Sequence, residues 1–139
     1  MLMRTTMTFG YPGDGGLGDR LIAAVLRGEK TATSSLAVGY LAGDEPLPIV
    51  GRVLPLVDHD GVEHGKVRTT RVRIVPLHLV DDQVAHDEGE GFADASEWRR
   101  DHVAFWSQLV EELRAESGDP DRELRAAEPV VIQWFELLP

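Results

Sequence analysis

Apolar positions repeat with helical spacing near the start of the chain and with strand-like spacing further along. Residues 19–27 carry an apolar stripe, and Gly28 after it predicts that a helix ends there. The polar, β-branched run at residues 28–35 predicts a short strand, and residues 35–41 predict a further helical turn. A loop is expected over residues 42–48.

The middle of the chain has the pattern of a β-hairpin. Residues 51–57 and 62–75 are rich in apolar and β-branched side chains, and Asp60-Gly61 between them is a strong turn signal. Pro55 lacks a backbone N–H, which places the first strand at an edge or next to a bulge. An antiparallel sheet is predicted here.

The last part of the chain adds helices and a closing strand. Short helical segments are predicted over residues 77–85 and a long helix over residues 96–113. The apolar face of that helix is formed by Trp98, His102, Phe105, Leu109 and Leu113. The apolar run at residues 129–138 predicts a strand. Together these elements predict an α+β fold, a small, partly closed antiparallel β-barrel flanked by helices, in a single domain over residues 1–139.

The amino-acid composition limits the kinds of chemistry that the chain can carry out. The 139 residues include no cysteine, which excludes disulfides, thiolate metal sites and thiol catalysis. The formal net charge is −10, so tight sequence-independent binding to long nucleic acid is not expected. Residues 1–8 lack the apolar run of a targeting signal, and no run of about eighteen apolar residues follows. A cytoplasmic protein without a membrane partner is expected.

Two features only partly match phosphate-binding elements. The glycine-rich residues 11–18 lack the lysine of a phosphate loop, which favours a loop leading into the first helix. A basic group is formed by Lys66, Arg68, Arg71 and Arg73. Because alternate strand residues face opposite sides, this group is divided between two faces and is typical of solvated sheet edges.

Lys30 is one of two lysines in a chain with twelve arginines. Unlike a guanidinium, an amine can lose its proton at workable pH and act as a base. Four hydroxyl residues follow it, namely Thr31, Thr33, Ser34 and Ser35. A nucleophilic hydroxyl needs a base within reach, and Lys30 can serve Thr33 if it lies in the turn before the strand. The alternative is a polar strand edge with a surface lysine, as expected for Lys66.

An acidic turn containing His86, Asp87, Glu88 and Glu90 is the second candidate. In a partly buried pocket a carboxyl group has a raised pKa and can protonate a leaving group. A metal site of His86, Glu88 and Glu90, with His102, is the alternative. No known ligand spacing such as HExxH is present, so neither a metal nor another cofactor is expected.

Aromatic residues on the long helix allow two interpretations. Trp98, Phe105 and Trp106 can stack on nucleic acid bases, at about 1–3 kcal/mol per base. At helical spacing such residues more often form a core. His102, one turn from Trp98, is interpreted as a hydrogen-bonded interior histidine.

These motifs, in this order, resemble the ASCH domain family, whose fold is related to the PUA barrel. The matching segments are GEKTAT at residues 28–33, GDEPLPIVG at residues 43–51, EGEG at residues 88–91 and EWRRDHVAFW at residues 97–106. The chain is most similar to the larger bacterial branch of the family. The resemblance implies binding of RNA or nucleotides in a cleft beside the barrel, and one branch removes the acetyl group from N4-acetylcytidine.

In that branch a lysine, a threonine three residues later and a glutamate of the acidic turn carry the chemistry. The resemblance assigns these roles to Lys30, Thr33 and Glu90, with Glu88 as the alternative acid. The family's arginine two residues after the threonine is Ser35 here, so its contact is lost or supplied by another arginine, Arg99 or Arg71. The expected substrate contacts are Thr31, Ser35, Arg71, Glu88, Trp98 and Arg99.

The leading hypothesis is therefore an amidohydrolase for a small N-acylated nucleoside, in which Lys30 activates Thr33 and Glu90 protonates the leaving amine. Its partner is a small nucleoside-like ligand. One alternative is a non-catalytic module that binds a modified nucleoside or short single-stranded RNA. Another is metal-assisted cleavage of RNA.

Overall fold

The computed structural model describes residues 5–42 and 45–139. The strands are β1 (Met7–Phe9), β2 (Ala32–Leu36), β3 (Val53–Asp58), β4 (Glu63–Pro76) and β5 (Pro129–Leu137). The helices are α1 (Leu17–Leu26), α2 (Ala37–Ala42), α3 (Asp82–Asp87), α4 (Ala95–Ser107) and α5 (Val110–Ser117), and a 3₁₀ turn spans Leu77–Leu79. Within the described ranges, no helix has the length and apolar character needed to cross a bilayer.

Two sequence predictions fall partly outside these ranges. The prediction of no targeting signal depends in part on residues 1–4, and the loop predicted over residues 42–48 includes Gly43 and Asp44. Those six residues lie outside the described part of the chain.

The five strands form one sheet in the order β1-β3-β4-β5-β2, which curves into a half-barrel flanked by helices. Every neighbouring pair is antiparallel except β1, which runs parallel to β3. The predicted partly closed β-barrel is confirmed, with one parallel strand added. β4 connects the two halves of the sheet, because its residues 63–68 pair with β3 and its residues 67–76 pair with β5. A register shift between Thr69 and Arg71 marks a bulge, which bends this long strand.

The predicted hairpin at Asp60-Gly61 is confirmed, since β3 and β4 pair on either side of it. Pro55 lies within β3, next to a register shift in the β3–β4 ladder. β1 pairs with β3 only beyond Pro55, from Leu56 onward. The proline that lacks an N–H therefore lies where the ladder with β1 has not yet begun.

Two apolar clusters attach the helices to the sheet. One packs α3, α4 and α5 against β2 and β5, with Trp98 and Ile132 fully buried. The other packs α1 against β1, β3 and β4 around Ile22 and Leu56. Each buried side chain of this size contributes about 1.5–3 kcal/mol. The two clusters fix both helical layers relative to the same sheet.

The prediction of one continuous helix over residues 96–113 is wrong, because α4 and α5 are separate helices. The N–H groups of Gln108 and Leu109 bond to carbonyls three residues back, on Phe105 and Trp106. Such bonds tighten the last turn of a helix and end it. Phe105 was also expected on the core face, but its side chain lies at the surface, 41% exposed.

Arg122 and Glu128 form a buried ion pair in the connection before β5, with Nη2 of Arg122 2.7 and 2.5 Å from the two carboxylate oxygens. We expect Glu128→Ala to lower the free energy of unfolding by about 3–5 kcal/mol, because it leaves a buried guanidinium without its partner. Urea denaturation followed by circular dichroism measures the loss.

The matched control is Glu136→Ala, since Glu136 pairs with Arg68 at 3.1 Å on the exposed surface. There an ion pair contributes about 0–1 kcal/mol. Equal losses in the two variants would contradict the assigned difference in burial.

Candidate functional site

A cavity of about 620 Å³ is bordered by all five strands and by α4. Its polar lining includes Lys30, Thr33, Ser34, Ser35, Glu88, Glu90 and His102. Its apolar lining includes Phe9, Leu21, Leu47, Ile49, Leu54 and Phe105. Small-molecule sites have volumes of roughly 300–1,000 Å³ and mix apolar walls with a few polar groups. The cavity has the size and lining of such a site.

Lys30 reaches the cavity from the turn between α1 and β2. Its backbone N–H bonds to the carbonyl of Ala24 at 3.1 Å, which wraps the chain around the end of α1. The side chain is buried, and Nζ donates to the carbonyl oxygen of Glu88 at 3.1 Å and to Oε2 of Glu90 at 3.3 Å. Lys66, by contrast, is exposed and pairs with Glu63. Lys30 is therefore part of a buried cluster rather than a surface lysine.

Glu88 belongs to the turn that follows α3 and is 1% exposed. Its carboxylate accepts hydrogen bonds from Nε1 of Trp98 and, at 3.2 Å, from the hydroxyl of Ser34. Oε1 also lies 3.8 Å from Nζ of Lys30. β2, the turn after α3 and the following helix α4 therefore meet at this carboxylate.

Burial raises the pKa of Glu88 above its ordinary value, because the carboxylate loses its hydration. The nearby charge of Lys30, the His102 ring and the indole N–H of Trp98 oppose this rise, and Glu90 adds to it. The site thus favours the protonated form of Glu88 more than water does.

The three hydroxyls of β2 have different surroundings. Ser34 donates to Glu88, and the Ser35 hydroxyl lies 3.2 Å from that of Tyr40. Thr33 borders the same cavity as Lys30. Within the described residues, however, Nζ of Lys30 bonds to the acidic turn and not to Thr33. The structure brings these two side chains to one cavity without a hydrogen bond between them.

Neither arginine proposed to replace the one missing at Ser35 reaches the cavity. The guanidinium of Arg71 lies over the ring of Trp134, 4.8 Å from its centroid. Nη1 of Arg99 donates to two backbone carbonyls of the Leu77–Val80 segment at 3.1 Å each. Both cations serve packing between elements, so the predicted substrate contacts of Arg71 and Arg99 are not supported by their positions.

Thr31 and Trp98 also lie outside the cavity lining. The hydroxyl of Thr31 donates to the carbonyl of Asp87 at 3.3 Å. Trp98 is fully buried in the core, and its indole N–H donates to Glu88. Trp98 therefore contacts a residue that lines the cavity, Glu88, and does not line the cavity itself.

Sequence reasoning did not assign His102 to the catalytic group, although its ring lines the cavity. Its Nδ1 lies 2.8 Å from the carbonyl oxygen of Trp98, and the two rings stack with centroids 4.2 Å apart. Its Nε2 is 3.8 Å from Oε1 of Glu88. The spacing Trp-x-x-x-His is a usable signal, because residues four apart share a helix face. Arg52 and Gln133 also line the cavity and carry no comparable local signal.

Glu88, Glu90 and His102 are the described residues that can hold a metal ion, with ligand atoms within 4.8 Å of one another. His86, the first ligand of the metal alternative, is exposed on α3 and is not part of this group. The amine of Lys30 lies 3.8 and 3.3 Å from the two carboxylates and supplies positive charge at this place. The arrangement fits acid–base chemistry better than metal binding.

The glycine-rich loop before α1 borders the cavity through Gly10 and Tyr11. The carboxylate of Asp14 accepts hydrogen bonds from the N–H groups of Tyr11, Gly16 and Gly18 at 3.2, 2.9 and 2.9 Å. These bonds, that from Gly18 first, lower the pKa of Asp14. The carboxylate of Asp14 therefore satisfies the clustered amides of this loop from within the loop itself.

The half-barrel and its flanking helices define a PUA-like barrel domain. The chain belongs to the ASCH domain family, whose model matches residues 6–139. A crystal structure of a protein from Enterococcus faecalis V583 is similar, with a TM-score of 0.79 and 27% identity over 99% of this chain and 78% of that chain. An ASCH domain from Lactobacillus crispatus JV V101 has a TM-score of 0.78 and 26% identity over 96% and 80% of the two chains. No curated protein matches this sequence.

The raised pKa of Glu88 predicts a pH dependence of stability. The folded chain binds the carboxyl proton of Glu88 more tightly than the unfolded chain. The stabilisation that results is therefore fully present below the ordinary pKa of 4.5 and is lost as pH rises through the pKa of the folded state. We expect Glu88→Gln to remove this loss of stability at rising pH, because an amide does not ionise. Between about pH 4 and about pH 7, the free energy of unfolding should shift in favour of the variant relative to wild type.

Urea denaturation at several pH values measures this difference. Glu112→Gln on the exposed surface of α5 is the control and should follow wild type at every pH. A difference between Glu88→Gln and wild type that does not change with pH would contradict the prediction.

Proposed function

We propose that this chain hydrolyses a small N-acylated nucleoside of the N4-acetylcytidine type. The observation that carries the proposal is the buried amine of Lys30, 3.3 Å from the carboxylate of Glu90, in the wall of a cavity that Thr33 also lines. These are the three positions to which the family resemblance assigns the reaction. A base, a hydroxyl and an acid are the groups that acyl transfer needs.

The size and charge of the cavity support a small ligand. Among the described lining residues, two are basic, Lys30 and Arg52, and three are acidic, Glu88, Glu90 and Asp101. Part of the positive charge is already paired within the Lys30 cluster. A long polyanion would meet repulsion here, which the formal net charge of −10 increases. The proposed substrate is therefore neutral or weakly charged.

In the first half of the proposed reaction, Glu90 takes a proton from Lys30 and leaves a neutral amine. Nζ then moves away from the Glu88 carbonyl and takes the hydroxyl proton of Thr33, whose oxygen attacks the amide carbon. The carbon–nitrogen bond breaks as Glu90 gives its proton to the departing amine. Thr33 is left acylated, and Lys30 and Glu90 return to the ion pair.

Water completes the cycle. Its oxygen attacks the acyl carbon while Glu90 accepts its proton, and the bond from that carbon to Thr33 breaks. Lys30 gives a proton to the Thr33 oxygen, and Glu90 then returns a proton to Lys30. The net reaction converts one amide and one water into one carboxylic acid and one amine.

We expect Lys30→Met, Thr33→Val and Glu90→Gln each to lower kcat/KM for N4-acetylcytidine by about 10²- to 10⁴-fold. Each substitution removes a group that transfers a proton or forms the covalent bond. Chromatographic separation of acetylcytidine from cytidine measures the rate of acetyl loss.

Three exposed residues outside the cavity lining provide matched controls. Lys66→Met, Thr70→Val and Glu63→Gln repeat the same side-chain changes there and should retain the wild-type rate. Full turnover by Thr33→Val would contradict the assigned nucleophile. Wild-type protein that binds acetylcytidine without turnover, with binding unchanged in Thr33→Val, would instead support a non-catalytic binding module.

A further inference from the structure

The acidic turn contacts Lys30 from both sides of one glycine. Lys30 Nζ donates to the carbonyl oxygen of Glu88 and to the side chain of Glu90, and Gly89 lies between these two residues. The position of the turn relative to the Lys30 backbone therefore decides whether both contacts form.

Gly89 lies directly against the backbone that precedes β2. A Cβ added at this position would lie 2.3 Å from the carbonyl oxygen of Glu29, 2.5 Å from its carbonyl carbon and 2.7 Å from Cα of Lys30. These are backbone atoms, which cannot move aside by a rotamer change. The residue also has a φ of +63°, a conformation that L side chains rarely adopt. A side chain here would push the turn away from Lys30.

Asp87, two residues before Gly89, holds the other end of the turn in place. The carbonyl of Asp87 accepts hydrogen bonds from the N–H of Thr31 at 2.7 Å and from its hydroxyl at 3.3 Å. Its carboxylate accepts from Nε1 of Trp134 at 2.9 Å and from the amide of Gln83 at 2.8 Å. A displacement at residue 89 is therefore opposed on the Asp87 side and is transmitted toward Glu90.

We propose that Gly89 is a positioning residue, whose missing side chain lets the acidic turn lie against the Glu29–Lys30 backbone and so holds the amine of Lys30 against Glu90. Its effect on turnover depends on the proposed hydrolysis, whereas its effect on the burial of Lys30 does not. Glu88 is fixed independently by Trp98 and Ser34, so the contact with Glu90 is the one that a side chain at residue 89 disrupts.

The test compares Gly89→Ala with Gly91→Ala. Both glycines have positive φ, +63° and +87°, so both variants carry the same kind of backbone strain. A Cβ at Gly91 meets nothing within 4 Å, whereas one at Gly89 meets backbone. Comparing the two variants therefore separates the effect of a clash with neighbouring backbone from the effect of conformational strain.

The first measurement is labelling of amines with an anhydride, followed by mass spectrometry. The sequence has only two lysines, and the exposed Lys66 is an internal reference for buried Lys30. We expect Gly89→Ala to raise the labelling rate of Lys30 relative to Lys66 by about tenfold, because the amine becomes more accessible through local opening. Gly91→Ala should label like wild type. Equal rates for Lys30 in the two variants, whether raised or not, would overturn the proposal.

The second measurement is hydrolysis of N4-acetylcytidine, where Gly89→Ala should lower kcat with little change in KM, since the remaining cavity walls stay in place. If wild type shows no turnover, the proposed function fails while the labelling result still decides the role of Gly89. If Gly89→Ala does not fold, Trp134→Phe replaces it, because it keeps an aromatic side chain and removes the indole N–H that donates to Asp87. Unchanged labelling of Lys30 in Trp134→Phe would then overturn the proposal.

Discussion

The burial of one lysine amine is the constraint on which this site depends. A charged amine removed from water is costly unless acceptors surround it, and a buried ion pair is stable only when its remaining polar atoms are also bonded. Lys30 meets this requirement with a backbone carbonyl and two carboxylates from the turn after α3. The same turn bonds to β2 and to α4, so the surroundings of one side chain fix these three segments relative to one another.

The two carboxylates beside this amine are not equivalent. The side chain of Glu88 is 2% exposed and is held by an indole N–H and a hydroxyl, whereas that of Glu90 is 18% exposed and its bond in the described residues is to Lys30. A group that gives a proton to a leaving amine has to reach the substrate. This difference supports Glu90 as the acid, with Glu88 holding Lys30 and the aromatic helix in position.

Much of the fold follows from local signals, and most of the site does not. The helix that ends near Gly28 and the hairpin at Asp60-Gly61 are encoded by adjacent residues, so pattern alone predicts them. β1 has three residues and pairs parallel to β3, which no short-range pattern indicates. Lys30 and the acidic turn were found through a composition bias and the family resemblance. Their contact spans about sixty positions, a distance over which spacing rules carry no information.

Two of the arginines show the same limit of prediction from sequence. Arg71 and Arg99 were plausible substitutes for the cation missing at Ser35, because charge and sequence position were the available criteria. In the structure one lies over an aromatic ring and the other bonds to carbonyl groups at both ends of a 3₁₀ turn. An arginine offers five donors in a fixed plane, which suits it equally to ligands and to structural acceptors. Only the tertiary fold decides between these uses.

The incomplete closure of the barrel accounts for the place of the site. The outer strands of the sheet, β1 and β2, are not paired with each other, and both border the cavity through residues such as Phe9 and Thr33. A pair formed between them would close the barrel and fill the space between their side chains. Just before β2, the carbonyl of Thr31 accepts from the N–H of Phe135 in β5, and the N–H of Thr31 donates to the carbonyl of Asp87. The residue that extends the pairing of β2 with β5 therefore also brings the acidic turn to Lys30, so the fold and the site depend on the same segment.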